Sequence, residues 1–252
     1  MAGHSKWAQI KRKKAVVDAR RGKLFTKLIR EITVAVREGG PDPEGNPRLR
    51  LAIENARAVN MPKENIERAI KKAAGHDQAE AYQEVTYEGY APGGVAIFID
   101  ALTDNPNRTV AEVRHLFSRH GGNLGTSGSV AYMFERKGII HVPSEGVREE
   151  DLLQAILDAG AEDLALEGDV YVVTTPREAF APVREALMEA GFRIERAALE
   201  MVPTTTVKVD PDTARRALRL IEALEDLDDV QAVYTNLEMD EETVAALSES
   251  GA

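Results

Sequence analysis

Residues 76–82, HDQAEAY, separate two parts of the chain whose apolar residues repeat with different periods. Before this stretch apolar residues recur every three to four positions, which is the period of an amphipathic helix. After it they alternate every second position, which is typical of half-buried β-strands. The stretch itself is polar and is interpreted as a linker. The change of period therefore predicts an α+β fold with a helical N-terminal domain.

Three helices are predicted before this linker. The first begins near Asp18 and ends at Gly39. The second begins with Asn46 as N-cap and Pro47 at its first position, where a missing N–H costs nothing. The third runs from Pro62 to Gly75. Because the connections between them are short, these helices are expected to form a three-helix bundle.

Strands and helices alternate after the linker. In chain order, the predicted elements are strands VTYEGY (85–90) and GGVAIFIDAL (93–102), a helix at 109–120, strands SVAYMFE (129–135) and GIIHV (138–142), a helix at 149–159, strands DLALEG (163–168) and DVYVVTT (169–175), a helix at 176–190, strands RIERAALEM (193–201) and TTTVKV (204–209), a helix capped by Asp210, and strand VQAVYTNL (230–237).

The elements between 136 and 203 follow the order strand, helix, strand, strand, helix, strand, which is that of a ferredoxin-like domain. The elements on either side are too few to fold alone, so they are predicted to form a second α/β domain that carries the first as an insertion. The predicted domains are therefore 1–75, basic and helical; 80–135 with 204–245, α/β; and 136–203, the inserted ferredoxin-like domain.

Composition excludes several classes of protein. The chain of 252 residues has no cysteine, so disulfide frameworks, thiolate zinc sites and cysteine nucleophiles are excluded. No apolar run approaches the roughly 20 residues that cross a bilayer, so a cytoplasmic protein without a membrane partner is expected. The five histidines lack the spacing of a zinc helix, and no Ser-His-Asp grouping is evident. No enzymatic activity, small-molecule substrate, cofactor or metal is expected.

Basic and acidic residues are segregated along the chain. Residues 1–74 contain 18 basic and 8 acidic side chains, whereas residues 75–252 contain 14 basic and 34 acidic side chains. Such a concentration of cations in an otherwise acidic protein predicts a nucleic-acid-binding segment. The alternative is an ordinary solvated helix face. The predicted binding residues are Lys6, Trp7, Lys11, Arg12, Lys13, Lys14, Arg20, Arg21, Lys23, Lys27, Arg30, Lys71 and Lys72.

Trp7 is the only tryptophan of the chain, and it lies between Lys6 and the Lys11–Lys14 run. It could stack on an exposed base or ribose. Equally, Trp7 and Ile10 could anchor the N-terminus on the helical bundle. The sequence leaves both roles open.

Two loops contain further candidate residues. GGNLGTSGS, residues 121–129, leaves a helix and enters a strand, the reverse of a phosphate-binding loop, so it is interpreted as a helix C-cap followed by a turn. In LTDNPNRT, residues 102–109, a helix start offers more capping side chains than it needs, and an arginine there opposes the helix dipole. Asp104, Asn107 and Arg108 are therefore secondary site candidates, although a structural role is favoured.

Several long motifs resemble one known family. MAGHSKWAQIKRKK, NPRLRLAIENARAVNMPKENIERAIKKA, YEGYAPGGVAIFIDALTDNPNRTVAEVRHLF and GGNLGTSGSVAYMFERKG are similar to the YebC/PmpR family, whose mitochondrial relatives include a translational activator of cytochrome c oxidase. The resemblance implies three domains, one helical and two α/β, in a cytoplasmic protein without catalytic activity or cofactor. Many family members are described as transcriptional regulators, and others act on the ribosome.

Three hypotheses follow. The first is a non-enzymatic, DNA-binding transcriptional regulator that uses residues 1–75. The second keeps this segment but makes ribosomal RNA the target, in a translation factor that relieves stalls at difficult sequences such as proline runs. The third is an enzyme that uses the Asp104–Thr109 loop. The sequence does not give the oligomeric state.

Overall fold

The computed structural model describes residues 18–75, 81–240 and 243–245. Its helices and strands confirm a mixed α+β fold. The helices are α1 (Asp18–Gly39), α2 (Pro47–Ala58), α3 (Lys63–Ala74), α4 (Pro106–Arg119), α5 (Glu149–Leu157), α6 (Phe180–Glu189) and α7 (Pro211–Glu225). The strands are β1 (Gln83–Ala91), β2 (Val95–Thr103), β3 (Asn123–Leu124), β4 (Phe134–Pro143), β5 (Asp163–Glu167), β6 (Val170–Pro176), β7 (Arg196–Pro203) and β8 (Val230–Thr235).

The described residues form two compact units. The first unit contains residues 18–31, 81–134 and those from 203 onward, and the second contains residues 32–75 and 135–202. The division falls inside α1, after Glu31. The residue boundaries of the three predicted domains stay a prediction.

The first unit contains a four-stranded sheet in the order β3-β1-β2-β8. Strand β2 lies in its centre, pairs antiparallel with β1 and β8, and is buried along nearly its whole length. Helices α4 and α7 pack apolar side chains against this sheet to form the core. The core includes Ile97, Ile99, Val113, Phe117, Leu220, Ile221 and Leu224.

The second unit contains a sheet in the order β5-β6-β4-β7. With α5 after β4 and α6 after β6, this order gives the ferredoxin-like arrangement that the sequence predicted. Gly168, with a φ of +65°, makes the turn between β5 and β6. Ile140, Leu152, Ile156, Val173, Val183 and Leu187 form the core.

Local capping residues position the helices as expected. The Asn46 side chain accepts a hydrogen bond from the Leu49 amide at 3.1 Å, and it donates to the carbonyl oxygens of Ala35 and Gly40 at 2.7 and 2.9 Å. One amide side chain therefore joins the end of α1 to the start of α2. Asp210 caps α7 in the same way, accepting from the Thr213 amide at 3.0 Å.

Two predicted strands are wrong. In 129–135, residues Ala131–Met133 form a 3₁₀ turn, because the Val130 and Ala131 amides donate to the Glu88 carboxylate and cannot join a ladder; β4 begins only at Phe134. In 204–209, only Val207 makes a bridge, to Leu237. The Thr204 amide and hydroxyl both donate to the Met133 carbonyl oxygen, which draws this segment to the 3₁₀ turn instead.

Two helices have different starting points from those predicted. Helix α4 begins at Pro106, three residues before the predicted start, because Asn105 is the N-cap. Helix α6 begins at Phe180 rather than Pro176. Pro182 lacks an N–H and is tolerated only in a first turn, which requires the later start. None of the helices in the described residues is long and apolar enough to cross a bilayer.

Candidate nucleic-acid interface

The structure locates only part of the predicted binding set. Lys6, Trp7 and the run Lys11–Lys14 lie outside the described residues. Arg20 and Arg21 belong to α1, but their side chains also lie outside the description. The cations whose surroundings are described are Lys23, Lys27, Arg30, Lys71 and Lys72.

Lys23 and Lys27 both contact the end of α7. We call residues 225–229 the acidic corner, since four of its five residues are acidic. Lys23 Nζ lies 3.2 Å from both Asp226 Oδ1 and the Asp226 carbonyl oxygen. Lys27 Nζ donates to the Glu225 carbonyl oxygen at 2.6 Å. Ammonium groups complement the partial negative charge of a helix C-terminus, so both lysines stabilise the docking of α1 in the first unit.

Arg30 reaches the buried end of the same corner. Its guanidinium bonds to the Asp229 carboxylate and donates to the Leu102 carbonyl oxygen at 3.1 Å. The guanidinium also lies over the Tyr82 ring, 5.1 Å from its centroid, within the range of a cation–π interaction. Arg30 is therefore held by three groups of the first unit.

Asp229 is the centre of a charged cluster that the sequence did not indicate. It is only 3% exposed, and Arg108 Nη2 and Thr109 Oγ1 donate to its Oδ2 at 2.8 and 2.6 Å. Burial raises the pKa of Asp229, but hydrogen bonds from Arg108, Thr109 and Arg30 outweigh it, so the pKa lies below its usual value. The carboxylate is thus charged, paired and hydrogen-bonded, which makes its burial tolerable.

The secondary candidates around Arg108 fall into separate roles. Arg108 also donates to Asp104 Oδ1 at 2.7 Å. Hydrogen bonds to the carboxylates of Asp229 and Asp104 raise the pKa of its guanidinium. Asn105 caps α4 by accepting from the Arg108 amide at 3.1 Å. Asn107 is exposed on the first turn of the helix. Asp104 and Arg108 thus contribute to the Asp229 cluster, and they are not gathered with Asn107 in a pocket.

Lys71 and Lys72 differ from the cations of α1. Both lie in the last turn of α3, and both are exposed. Neither forms an ion pair with any residue that the structure describes. Among the predicted cations whose surroundings are described, these two are exposed without an ion pair to a described residue.

The glycine-rich loop is organised around an internal anion. Gly121 has a φ of +74° directly after the C-cap His120, in agreement with the C-cap interpretation. Further on, the amides of Gly128, Val130 and Ala131 donate to the Glu88 carboxylate at 2.7 to 2.8 Å. Glu88 is 4% exposed and lies on β1. Backbone amides that could have cradled a phosphate therefore bind this carboxylate instead.

Two protein-family models match this chain. Residues 5–76 match the family model described as the TACO1/YebC protein N-terminal domain, and residues 82–237 match the model for the TACO1/YebC second and third domain. The chain belongs to the TACO1/YebC family. This confirms the resemblance that the sequence motifs indicated.

Relatives in the TACO1/YebC family are similar over nearly their full length. A protein of Rubrobacter xylanophilus is 57% identical over 98% of this chain and 100% of its own, and one of Aquifex aeolicus is 58% identical over 96% and 98%. Both are named probable transcriptional regulatory proteins. The crystal structure of a conserved hypothetical protein of Aquifex aeolicus, 56% identical, superposes with a TM-score of 0.84 and covers 90% of this chain and 94% of its own.

Proposed function

We propose that this chain is a non-enzymatic, nucleic-acid-binding regulatory protein of the cytoplasm, and that it regulates transcription by binding DNA. The observation that carries the proposal is the segregation of charge, with 18 basic and 8 acidic residues before position 75 and the reverse excess after it. A basic segment in an acidic chain attracts polyanions to one region and repels them from others.

The exposed side chains of Lys71 and Lys72 support this assignment, since they have no ion pair with a described residue. The names of the relatives support a role in transcription. Asp104, Arg108 and Thr109 all have partners in the Asp229 cluster, which supports a structural role for the Asp104–Thr109 loop.

One observation favours a second candidate, a translation factor that binds ribosomal RNA. The side chains of Lys23, Lys27 and Arg30 bind groups of the first unit. They are therefore not positioned to contact base edges in a major groove. Ribosomal RNA offers phosphates together with unpaired bases, which do not require a helix in a groove. Relief of stalling at proline runs would be the regulatory outcome.

Crosslinking in cells followed by sequencing of the attached nucleic acid distinguishes the two targets. Discrete enriched DNA sites with no ribosomal RNA support the transcriptional proposal. Ribosomal RNA enriched at one region, without DNA sites, contradicts it and supports the translation factor. If neither nucleic acid is recovered above a matched acidic control protein, the nucleic-acid-binding proposal itself is wrong.

A further inference from the structure

The acidic part of the first unit contains a small cluster of arginines. Residues 81–134 and 203–240 contain 14 acidic and 7 basic residues, so cations are in the minority there. Arg119 of α4 and Arg216 and Arg219 of α7 are among the exposed ones. We call these three residues the arginine cluster.

Helix spacing and one packing contact place the three arginines close together. Arg216 and Arg219 are three residues apart on α7, which places them on neighbouring turns of one face. A Cβ added at Gly122, just after α4, would lie 3.1 Å from Leu220 Cδ2, so the end of α4 lies against α7 beside Arg219. Arg119 thus lies next to the arginines of α7.

The His120 imidazole lies close enough to Arg119 and Arg219 to be affected by their charges. Burial lowers the pKa of its imidazole, and the charges of Arg119 and Arg219 lower it further. Both guanidinium groups therefore act on the same imidazole, one from each helix. The imidazole stays neutral at physiological pH, and the positive charge is carried by the arginines alone.

The arginines have little internal compensation. None of the three forms an ion pair with any residue in the described part of the chain, although Arg216 donates to Thr213 Oγ1 at 3.2 Å. Of the nearby carboxylates on α7, Asp212 bonds to Arg215, and Glu222 lies one turn beyond Arg219. Clustered like charges repel each other, so an anionic partner would stabilise them.

Guanidinium groups suit one class of anion in particular. Their planar donors bind phosphate oxygens with two parallel hydrogen bonds, and arginine is the usual residue for nucleic-acid backbones. We propose that the arginine cluster is a second contact surface for the nucleic-acid backbone, separate in sequence from the basic N-terminal segment. The proposal rests on the proposed function, and it extends the contact to a region whose overall charge is negative.

The salt dependence of binding tests this surface. Arg119→Gln with Arg219→Gln should weaken binding of the full chain to its preferred nucleic acid at least about tenfold near 100 mM salt, and should make the slope of log K against log salt shallower by about two contacts. Arg119→Lys with Arg219→Lys keeps the charge and should retain the slope. Binding is measured by fluorescence anisotropy, once with duplex DNA and once with structured RNA. The nucleic acid whose affinity falls in the glutamine variant is the one that the arginine cluster contacts.

Arg177→Gln with Arg193→Gln is the matched control, since both arginines are exposed in the second unit and the charge change is the same. Thermal melting establishes that each variant is folded. An unchanged slope in the arginine-cluster variant, or an equal loss in the control, overturns the proposal while wild-type binding keeps the proposed function intact. Failure of the wild-type chain to bind either nucleic acid overturns the proposed function instead.

Discussion

At the scale of single residues, the buried Asp229 carboxylate is the centre of a charged cluster. Its carboxylate joins Arg30 of α1 to Arg108 and Thr109 of α4. These partners hold the group charged although it is buried, and the cost of removing one member of such a network exceeds the cost of losing an exposed pair.

Asp229→Asn should therefore lower the free energy of unfolding by about 3 kcal/mol, because it leaves two guanidinium groups facing a neutral amide. Asp226→Asn, which removes the exposed carboxylate bound by Lys23, should cost only about 0–1 kcal/mol. Urea denaturation of both variants and the wild-type chain measures the difference. Equal, small losses would contradict the role of Asp229.

The difference in stability between wild type and Asp229→Asn should depend on pH. The pKa of Asp229 is lower in the folded protein than its ordinary value, so its contribution is complete above about pH 4 and is lost as pH falls through the folded pKa. The stability gap between wild type and Asp229→Asn should thus be constant near neutral pH and shrink below about pH 4. A gap that widens on acidification would contradict this.

At the scale of elements, the loop between β3 and β4 depends on a residue of another strand. Glu88 of β1 accepts three amide hydrogen bonds from residues 128–131, and the Gly125 amide donates to its carbonyl oxygen at 2.8 Å. The 3₁₀ turn that follows presents Tyr132, which is 73% exposed. The Glu88 carboxylate is therefore the main side-chain anchor of residues 128–131.

Glu88→Gln should open this loop without unfolding the sheet. A glutamine side chain has one acceptor oxygen for these donors, so at least one buried amide loses its partner, at about 1–3 kcal/mol. Hydrogen exchange at the Gly128, Val130 and Ala131 amides should accelerate. The exposed Glu84→Gln on the same strand is the control, and equal protection in both variants would show that Glu88 does not hold the loop.

Sequence reasoning succeeded where the determining residues are neighbours. Asn46 with Pro47 and Asp210 with Pro211 identify helix starts because capping depends on the next three residues. It failed where partners are distant. The Glu88 contacts join residues 40 to 43 apart and turn a predicted strand into a 3₁₀ helix, and Arg30 is 199 residues from Asp229.

The candidate site shows the same limit. Spacing and charge placed Lys23, Lys27 and Arg30 on a polar helix face, but their partners in the acidic corner could not be predicted from the helix alone. The run of four acidic residues within 225–229 was the one available signal. The arginine cluster could not be predicted from the sequence, because its members come from two helices about 100 residues apart.

At the scale of the whole molecule, we propose that an acidic protein binds nucleic acid through the cations of its N-terminal segment. The chain has a formal net charge of −10, so the molecule as a whole repels nucleic acid. Binding must come from local concentrations of cations. The densest of these is the run Lys11–Lys14.

The most direct measurement is the affinity of the full chain for duplex DNA and for ribosomal RNA after Lys11, Arg12, Lys13 and Lys14 are all changed to glutamate, across a salt series. Binding should be lost at moderate salt, and the slope that remains at low salt should be shallower by about four contacts, with thermal stability unchanged. Affinity equal to that of the wild-type chain, with the same salt slope, would contradict it.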